Sequence, residues 1–474
     1  MTLMNRVLPR ERTLCDNIAC VGERALGKYY QFTWGCQMNQ ADSGMAARLL
    51  EAAGYEQAAS PKDADIIFLN TCSVREKPEQ KAFSRLGELR RLKEDRPGAI
   101  IVFAGCMAQR LGEKILGRMP HIDIVVGPRQ LHRLPHLIES AKKTGQRQVA
   151  ISLDHQPIPT WDMYLEAAGS RVESARYDPF AAYVTVMQGC SYLCAYCIVP
   201  HVRGNAVSHP PEQIVQEVKR LAQSGCKEVT LLGQNILAYG KDRDRSFRLA
   251  DLLQVVHEIA GIERIRFTTG HPRDVDDRLL QTIAALPKVC RHFHVPIQAG
   301  HDRILRDMKR RCTVQQYAEM AAKIREILPG SSITSDMMVG FPGETDDEFE
   351  ASLQTYANLR SDQAFMFAFS PRPGTLAAAM PDQVPYGVKR ERLRRLIELQ
   401  NGITAEINRS FEGRTVEVLV EGPDEKCGNR LSGRTRCHRL VIFDGPHTLF
   451  GRLVQVKVTS GRLWGLEGQV AAQD

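Results

Sequence analysis

The chain has 474 residues, of which 43% are hydrophobic and 25% charged, and a formal net charge of +8. That length asks for two or three cores rather than one. No apolar run approaches the roughly 20 residues that cross a bilayer, which excludes a helical membrane protein, and the modest positive charge permits an anionic partner without demanding one.

Residues 1–27 carry scattered Arg among Glu11, Asp16 and Glu23 and lack an apolar stretch, so they read as a flexible leader and not a secretory signal. The protein is expected to be cytoplasmic and monomeric. From 28 to 145, apolar strands at 29–33, 65–70, 99–104 and 123–126 alternate with helical spacing, as at 43–53 where Met45, Leu49 and Leu50 precede Gly54. This order predicts a doubly wound α/β domain with a parallel sheet. Residues 146–176 lose the rhythm and read as a linker.

A second alternation fills 177–410, with strands expected at 183–187, 228–232, 264–269, 292–297, 333–339 and 365–369. A helix over 211–224 opens on Pro211 and stops at Gly225. Six strand-plus-helix units fall short of the eight of a closed barrel, so a partial (β/α)6 barrel is expected, closed by a long helix over 388–408. From 411 to 474 the period turns to two, with strands at 415–420, 439–443, 453–458 and 463–468, which predicts a small all-β barrel.

Thirteen cysteines are many for a reducing compartment, where ligands or buried thiols are expected rather than disulfides. Cys190, Cys194 and Cys197 form a C-x3-C-x2-C loop just past the first strand of the second domain. Three thiolates on one tight loop can hold three irons of a cubane and leave the fourth iron open. A zinc knuckle is the alternative, but no fourth ligand stands at a usual spacing. Cys36, Cys72 and Cys106 each lie just past one of the first three predicted strands. Loops at the carboxyl edge of an open α/β sheet converge, so these three could ligate a second cluster; three buried thiols are the alternative. Cys15, Cys20, Cys226, Cys290, Cys312, Cys427 and Cys437 show no ligand spacing.

The C-x3-C-x2-C loop, with the aromatic Tyr196 before its third cysteine, resembles the signature of the radical S-adenosylmethionine superfamily. That resemblance implies a [4Fe–4S] cluster on Cys190, Cys194 and Cys197, with Tyr196 beside the cofactor. The open iron would chelate S-adenosylmethionine, which on reduction yields a 5′-deoxyadenosyl radical. The two three-cysteine sites together resemble the methylthiotransferases. Gly35-Cys-Gln-Met-Asn-Gln40, Asn70-Thr-Cys-Ser-Val-Arg-Glu-Lys77 and Ala104-Gly-Cys-Met-Ala-Gln109 are similar to the branch that modifies N6-dimethylallyl adenosine in tRNA. The implied reaction is methylthiolation of that base at C2, beside the anticodon. The implied partners are tRNA, a reductant and a sulfur source, and the implied cofactors are S-adenosylmethionine and two [4Fe–4S] clusters.

Lys426, Arg430, Arg434, Arg436 and Arg439 fall within fourteen residues that hold no acidic side chain. Such a run can follow a phosphate backbone or be an ordinary solvated face. Leu431-Ser-Gly-Arg-Thr-Arg436 and Leu440-Val-Ile-Phe443 resemble the RNA-binding TRAM domain, which favours the first reading. Gly340, Pro342 and Gly343 either shape a cofactor pocket or form a plain strand-to-helix turn. His271, His294 and His301 sit near strand ends, with structural roles expected for each. The competing readings are a methylthiotransferase acting on ribosomal protein and a non-enzymatic iron–sulfur RNA-binding protein.

Overall fold

The computed structural model describes residues 26–73, 76–153, 176–178, 180–243, 246–424, 428 and 430–471. The chain divides into two compact units, one ending at Ser152 and one holding everything described from Arg176 onward.

In the first unit the strands are β1 (Gly27–Trp34), β2 (Tyr55–Gln57), β3 (Ile66–Thr71), β4 (Ile100–Gly105), β5 (Ile124–Val126) and β6 (Gln148–Ala150). They form one parallel sheet in the order β2-β1-β3-β4-β5-β6. Every residue of β3 and β4 is buried, because separate apolar layers cover the two faces of the sheet. The doubly wound expectation is met, and β2 and β6 add two short edge strands that the apolar pattern did not signal. Residues 148–150, assigned to a linker, pair with β5 and belong to this sheet.

The second unit begins with β7 (Arg176–Asp178), β8 (Ala181–Thr185), β9 (Met187–Gln188) and β10 (Val207–Ser208). It continues with β11 (Glu228–Leu232), β12 (Arg264–Phe267), β13 (His292–His294), β14 (Ser332–Val339) and β15 (Gln363–Ala368). β8, β11 and β12 pair in parallel, as do β13, β14 and β15. Parallel bridges Ile265↔Val289 and Thr269↔His294 join the two groups. The result is six parallel barrel strands with β7 added antiparallel at one edge and β15 standing at the other. Ile265, Phe293, Ile333 and Met337 face the helical layer and build the largest core, so the residues between them turn toward the lumen. The closing helix runs Tyr386–Arg409.

The last strands, β16 (Thr415–Pro423), β17 (Leu431–Thr435), β18 (Leu440–Asp444), β19 (Leu453–Arg462) and β20 (Gly465–Val470), close into a barrel ordered β16-β17-β18-β20-β19. It has five strands where the period-two pattern showed four; β17 (LSGRT) was hidden because Ser, Gly and Arg weaken its apolar signal. Two buried arginines of β12 hold the β17–β18 turn against the N-terminal ends of the larger barrel's strands. Arg264 donates to the carbonyls of Arg434 (2.7 Å) and Glu417 (3.1 Å), and Arg266 to those of Thr435 (2.7 Å) and Arg436 (3.1 Å). Arg439 reaches the same floor from the turn itself. It is 4% exposed, pairs with Asp362, donates to Asn408 Oδ1 at 2.6 Å and lies over the Phe411 ring at 4.6 Å.

Replacing Arg439 by Leu leaves the Asp362 carboxylate without its cation in a water-poor interface. Losing one partner of a buried pair costs about 3–5 kcal/mol. Denaturant unfolding of the Arg439→Leu variant should show that loss, whereas Arg394→Leu, on an exposed helical face, should stay within about 1 kcal/mol of the parent.

Candidate metal centres

The three strand-end cysteines of the first unit follow one register row. Trp34 pairs with Thr71 and Thr71 with Gly105, so Cys72 and Cys106 stand one residue past that row and Cys36 two past it. Adjacent strands lie about 4.8 Å apart, which places these three backbone positions side by side on one edge. Gly35 is required by the close approach of the first two loops, since a Cβ there would sit 2.9 Å from Cys72 Cβ. Gly105 turns the chain into Cys106 at φ 91°, and a Cβ there would meet the Thr71 carbonyl at 2.6 Å.

Asn39 and Asn70 lock these loops. Asn39 Nδ2 donates to Asn70 Oδ1 at 3.0 Å, and Asn70 Nδ2 donates to the Asn39 carbonyl at 2.9 Å and to Ser43 Oγ at 3.0 Å. Both amides are buried, where an unmet polar group is costly. Cys36 Sγ lies 3.4 Å from Asn39 Oδ1 and Cys36 begins the helix Gln37–Ala52, whose dipole favours negative charge at that end. Ser73, next to Cys72, accepts from Arg110 Nε at 2.6 Å. Val74 and Arg75 lie outside the described residues, as do the side chains of Glu76 and Lys77.

In the second unit, Cys190, Cys194 and Cys197 lie on the loop after β9. Gly189 starts it at φ 77°, where a Cβ would come within 2.5 Å of the Gly204 carbonyl. The loop is stitched by Cys190 N–H to the Gly204 carbonyl (3.1 Å), Cys197 N–H to that of Cys194 (3.0 Å) and Ala195 N–H to that of Met308 (2.9 Å). Burial pushes the Cys197 thiol up to about 12 and raises that of Cys190 as well. Without a metal these sulfurs stay protonated, and coordination to iron is what would ionise them. Three thiols on a preshaped loop therefore fit the three-iron face of a cubane. Among the described residues no three His, Cys, Asp or Glu side chains converge on a single metal ion, which bears on a mononuclear site and not on a cube that spreads its ligands over separate irons.

Sequence reasoning missed Arg310. It is 6% exposed, and its Nη1 lies 3.8 Å from Cys194 Sγ. A lone Arg after a helix carries no motif, and only the fold brings it to the cysteine loop. Tyr196 is partly buried beside it, and desolvation raises the pKa of its hydroxyl. Tyr192 stacks on the His271 ring at 4.0 Å and donates to Asp274 at 3.0 Å, while Asn235 donates to the other oxygen of Asp274 at 2.6 Å. His271 Nδ1 accepts from Arg273 N–H at 3.2 Å, and burial lowers its pKa to about 3, which keeps the ring neutral.

The turn of Gly340, Pro342 and Gly343 is anchored from behind. Glu344 accepts from Gly340 N–H at 2.6 Å and pairs with buried Arg392 of the closing helix at 2.8 Å. Gly340, at φ 72°, packs on the Lys389 stem. His301 lies 3.4 Å from Glu348, and His294 lies in the lumen 3.5 Å from Asp336.

The basic run separates into two groups. Arg430 and Arg434 are partly exposed, with acidic neighbours Asp444 at 3.7 Å and Glu421 at 3.3 Å. Arg436 turns back to Glu417 at 3.4 Å and to the Pro287 carbonyl. Arg439 leaves the stripe altogether: its guanidinium is committed to Asp362 and Asn408 in the interior, which corrects its assignment as an RNA contact. Lys426 lies outside the described residues.

Residues 28–127 match "Uncharacterized protein family UPF0004", residues 184–356 the Radical SAM superfamily and residues 409–471 the TRAM domain. A solved radical S-adenosylmethionine methyltransferase, TsrM from Kitasatospora setae, superposes with a TM-score of 0.54 at 14% identity over 75% of this chain and 77% of that one, a likeness of fold. The chain is thus of the radical S-adenosylmethionine class, which works with a [4Fe–4S] cluster and S-adenosylmethionine. The tRNA-2-methylthio-N(6)-dimethylallyladenosine synthase of Moorella thermoacetica is 45% identical over 92% of this chain and 97% of its own length. That of Desulforamulus reducens is 44% identical over 92% and 94%. The chain belongs to the family of these synthases.

Proposed function

We propose that the chain replaces the C2 hydrogen of N6-(dimethylallyl)adenosine at position 37 of tRNA, beside the anticodon, with a methylthio group. The register row that ends three neighbouring strands in Cys36, Cys72 and Cys106 is the observation that carries the sulfur-inserting half of this reading. Those three would hold a second [4Fe–4S] cluster, and Cys190, Cys194 and Cys197 the first. When bound, the clusters and S-adenosylmethionine supply the electron, the hydrogen-abstracting radical chemistry and a place for the incoming sulfur.

That chemistry suits the substrate, because the C2–H of adenine is neither acidic nor electrophilic and a side-chain base cannot activate it. The protein's task is positioning and exclusion of water. Arg310 sets positive charge 3.8 Å from Cys194 Sγ, offsetting the negative charge of ligating thiolates. Tyr196 packs beside the loop against a buried apolar cluster that includes Ala195 and Met308. The Gly340–Gly343 turn, braced by Glu344 and Arg392, offers backbone at the end of β14 that can border S-adenosylmethionine. Arg430 and Arg434, with Lys426, would meet the tRNA backbone, and the target base would leave its stack to enter the lumen. A reductant and a sulfur source come from outside the chain. No described helix is long and apolar enough to cross a membrane, and the proposed setting is the cytoplasm, with the enzyme a monomer.

Anaerobic reconstitution should yield about eight irons per chain, falling to about four when Cys190, Cys194 and Cys197 are all changed to Ala; a parent value near four would remove the second cluster. Deleting the gene should abolish 2-methylthio-N6-(dimethylallyl)adenosine from tRNA nucleosides analysed by mass spectrometry, and persistence of that nucleoside would overturn the assigned substrate. Arg434→Ala should weaken tRNA binding and reduce the slope of log K against log salt by roughly one, as loss of a single phosphate contact does.

A further inference from the structure

The lumen of the partial barrel differs from the packed aliphatic interior of a closed one. In register across the sheet, Asp336 stands beside Phe365 and Met338 beside Phe367, with all four pointing away from the helical layer that takes Met337, Ala364 and Met366. Phe365 is 54% exposed in the middle of a strand, and Phe367 and Met338 are only partly covered. One outward Phe on a convex surface would need no explanation. Here the apolar side chains line the lumen face of the last barrel strand, which among the described residues pairs with β14.

The polar half of this face is equally defined. The His294 ring meets Phe365 edge to face at 5.7 Å, and its Nε2 lies 3.5 Å from Asp336 Oδ1. His294 Nδ1 is 3.0 Å from Thr334 Oγ1, which fixes the ring plane. Below, the lumen is shut by the β17–β18 turn, where His438 stacks on His292 at 4.9 Å.

We infer that Phe365, with Phe367 and Met338, forms the subsite that receives the five-carbon N6 arm of the target adenine, while His294 and Asp336 face the ring's polar edge. This rests on the reaction proposed above and adds the residues that select an alkylated base. The ligand's chemistry matches that division: a flat heterocycle with nitrogen acceptors and donors on its rim, and a branched hydrocarbon on one exocyclic nitrogen. Aromatic rings offer both a face for the purine and an apolar wall for the arm. Asp336 and His294 present an acceptor and an adjustable donor or acceptor at one side of it.

The test uses reconstituted full-length enzyme with two anticodon stem–loop RNAs that differ only in whether adenosine 37 carries the N6-dimethylallyl group. The parent should prefer the alkylated RNA. An apolar pocket of this kind discriminates by roughly ten- to hundredfold. In Phe365→Ala the ratio of kcat/KM values for the two RNAs should fall by most of that factor, through KM more than kcat, while Phe365→Leu, which keeps an apolar wall, should retain most of it. Iron content equal to the parent's certifies that each variant is folded and loaded. An unchanged ratio in Phe365→Ala overturns the subsite. A parent that methylthiolates neither RNA overturns the proposed function itself, so the two failures are told apart.

Discussion

In a parallel sheet all strands run the same way, so every loop that follows a strand emerges on one edge. The cysteine set of the first unit depends on this. In the first unit the constraint is direct: three neighbouring strands end on one register row, and a cysteine follows each within two residues. The Asn39–Asn70 amide pair then ties the loop after β1 to the end of β3, so that strand pairing carries through into loop position. In the second unit the loop follows β9, and backbone bonds to Gly204 and Met308 keep its three thiols on a fixed curve.

A polar seam holds the second unit's two barrels together. Arg264 and Arg266 grip three successive carbonyls of the β17–β18 turn, and Glu228 balances them at 2.9 Å from Arg266 Nε. Buried guanidinium groups are tolerable there because each has carbonyl or carboxylate acceptors; stripped of partners they would cost several kcal/mol. The seam has a consequence for nucleic acid. The turn that carries Arg434 on its outer side is held from within at the backbone of the same residue, so that side chain is presented by a rigid support.

Much was legible from residue order. The alternation of apolar runs with helical spacing marked the parallel strands to within a few residues, and β11 matched its expected bounds. The cysteine triplets were equally visible, because cluster ligation needs one residue type at short spacing or at equivalent strand ends. The strands that escaped notice share a cause. β2 and β6 are three residues long and β17 has Gly at its centre, and such segments are held by backbone pairing with a neighbour rather than by an apolar face of their own.

The sequence by itself determined the strand and helix periods, the two sets of thiols and the family motifs, all of which reside in local pattern. Only the tertiary structure decided what each charge does. Arg310 and Arg439 look no different from their neighbours in the chain, yet one is brought to Cys194 and the other sealed against Asp362, while Arg434 stays partly in solvent. The physical reason is that a guanidinium's role depends on which acceptor the fold brings within about 3 Å and on how much water remains there. That is a property of contacts between residues far apart in sequence, 116 positions for Arg310 and Cys194 and 77 for Arg439 and Asp362.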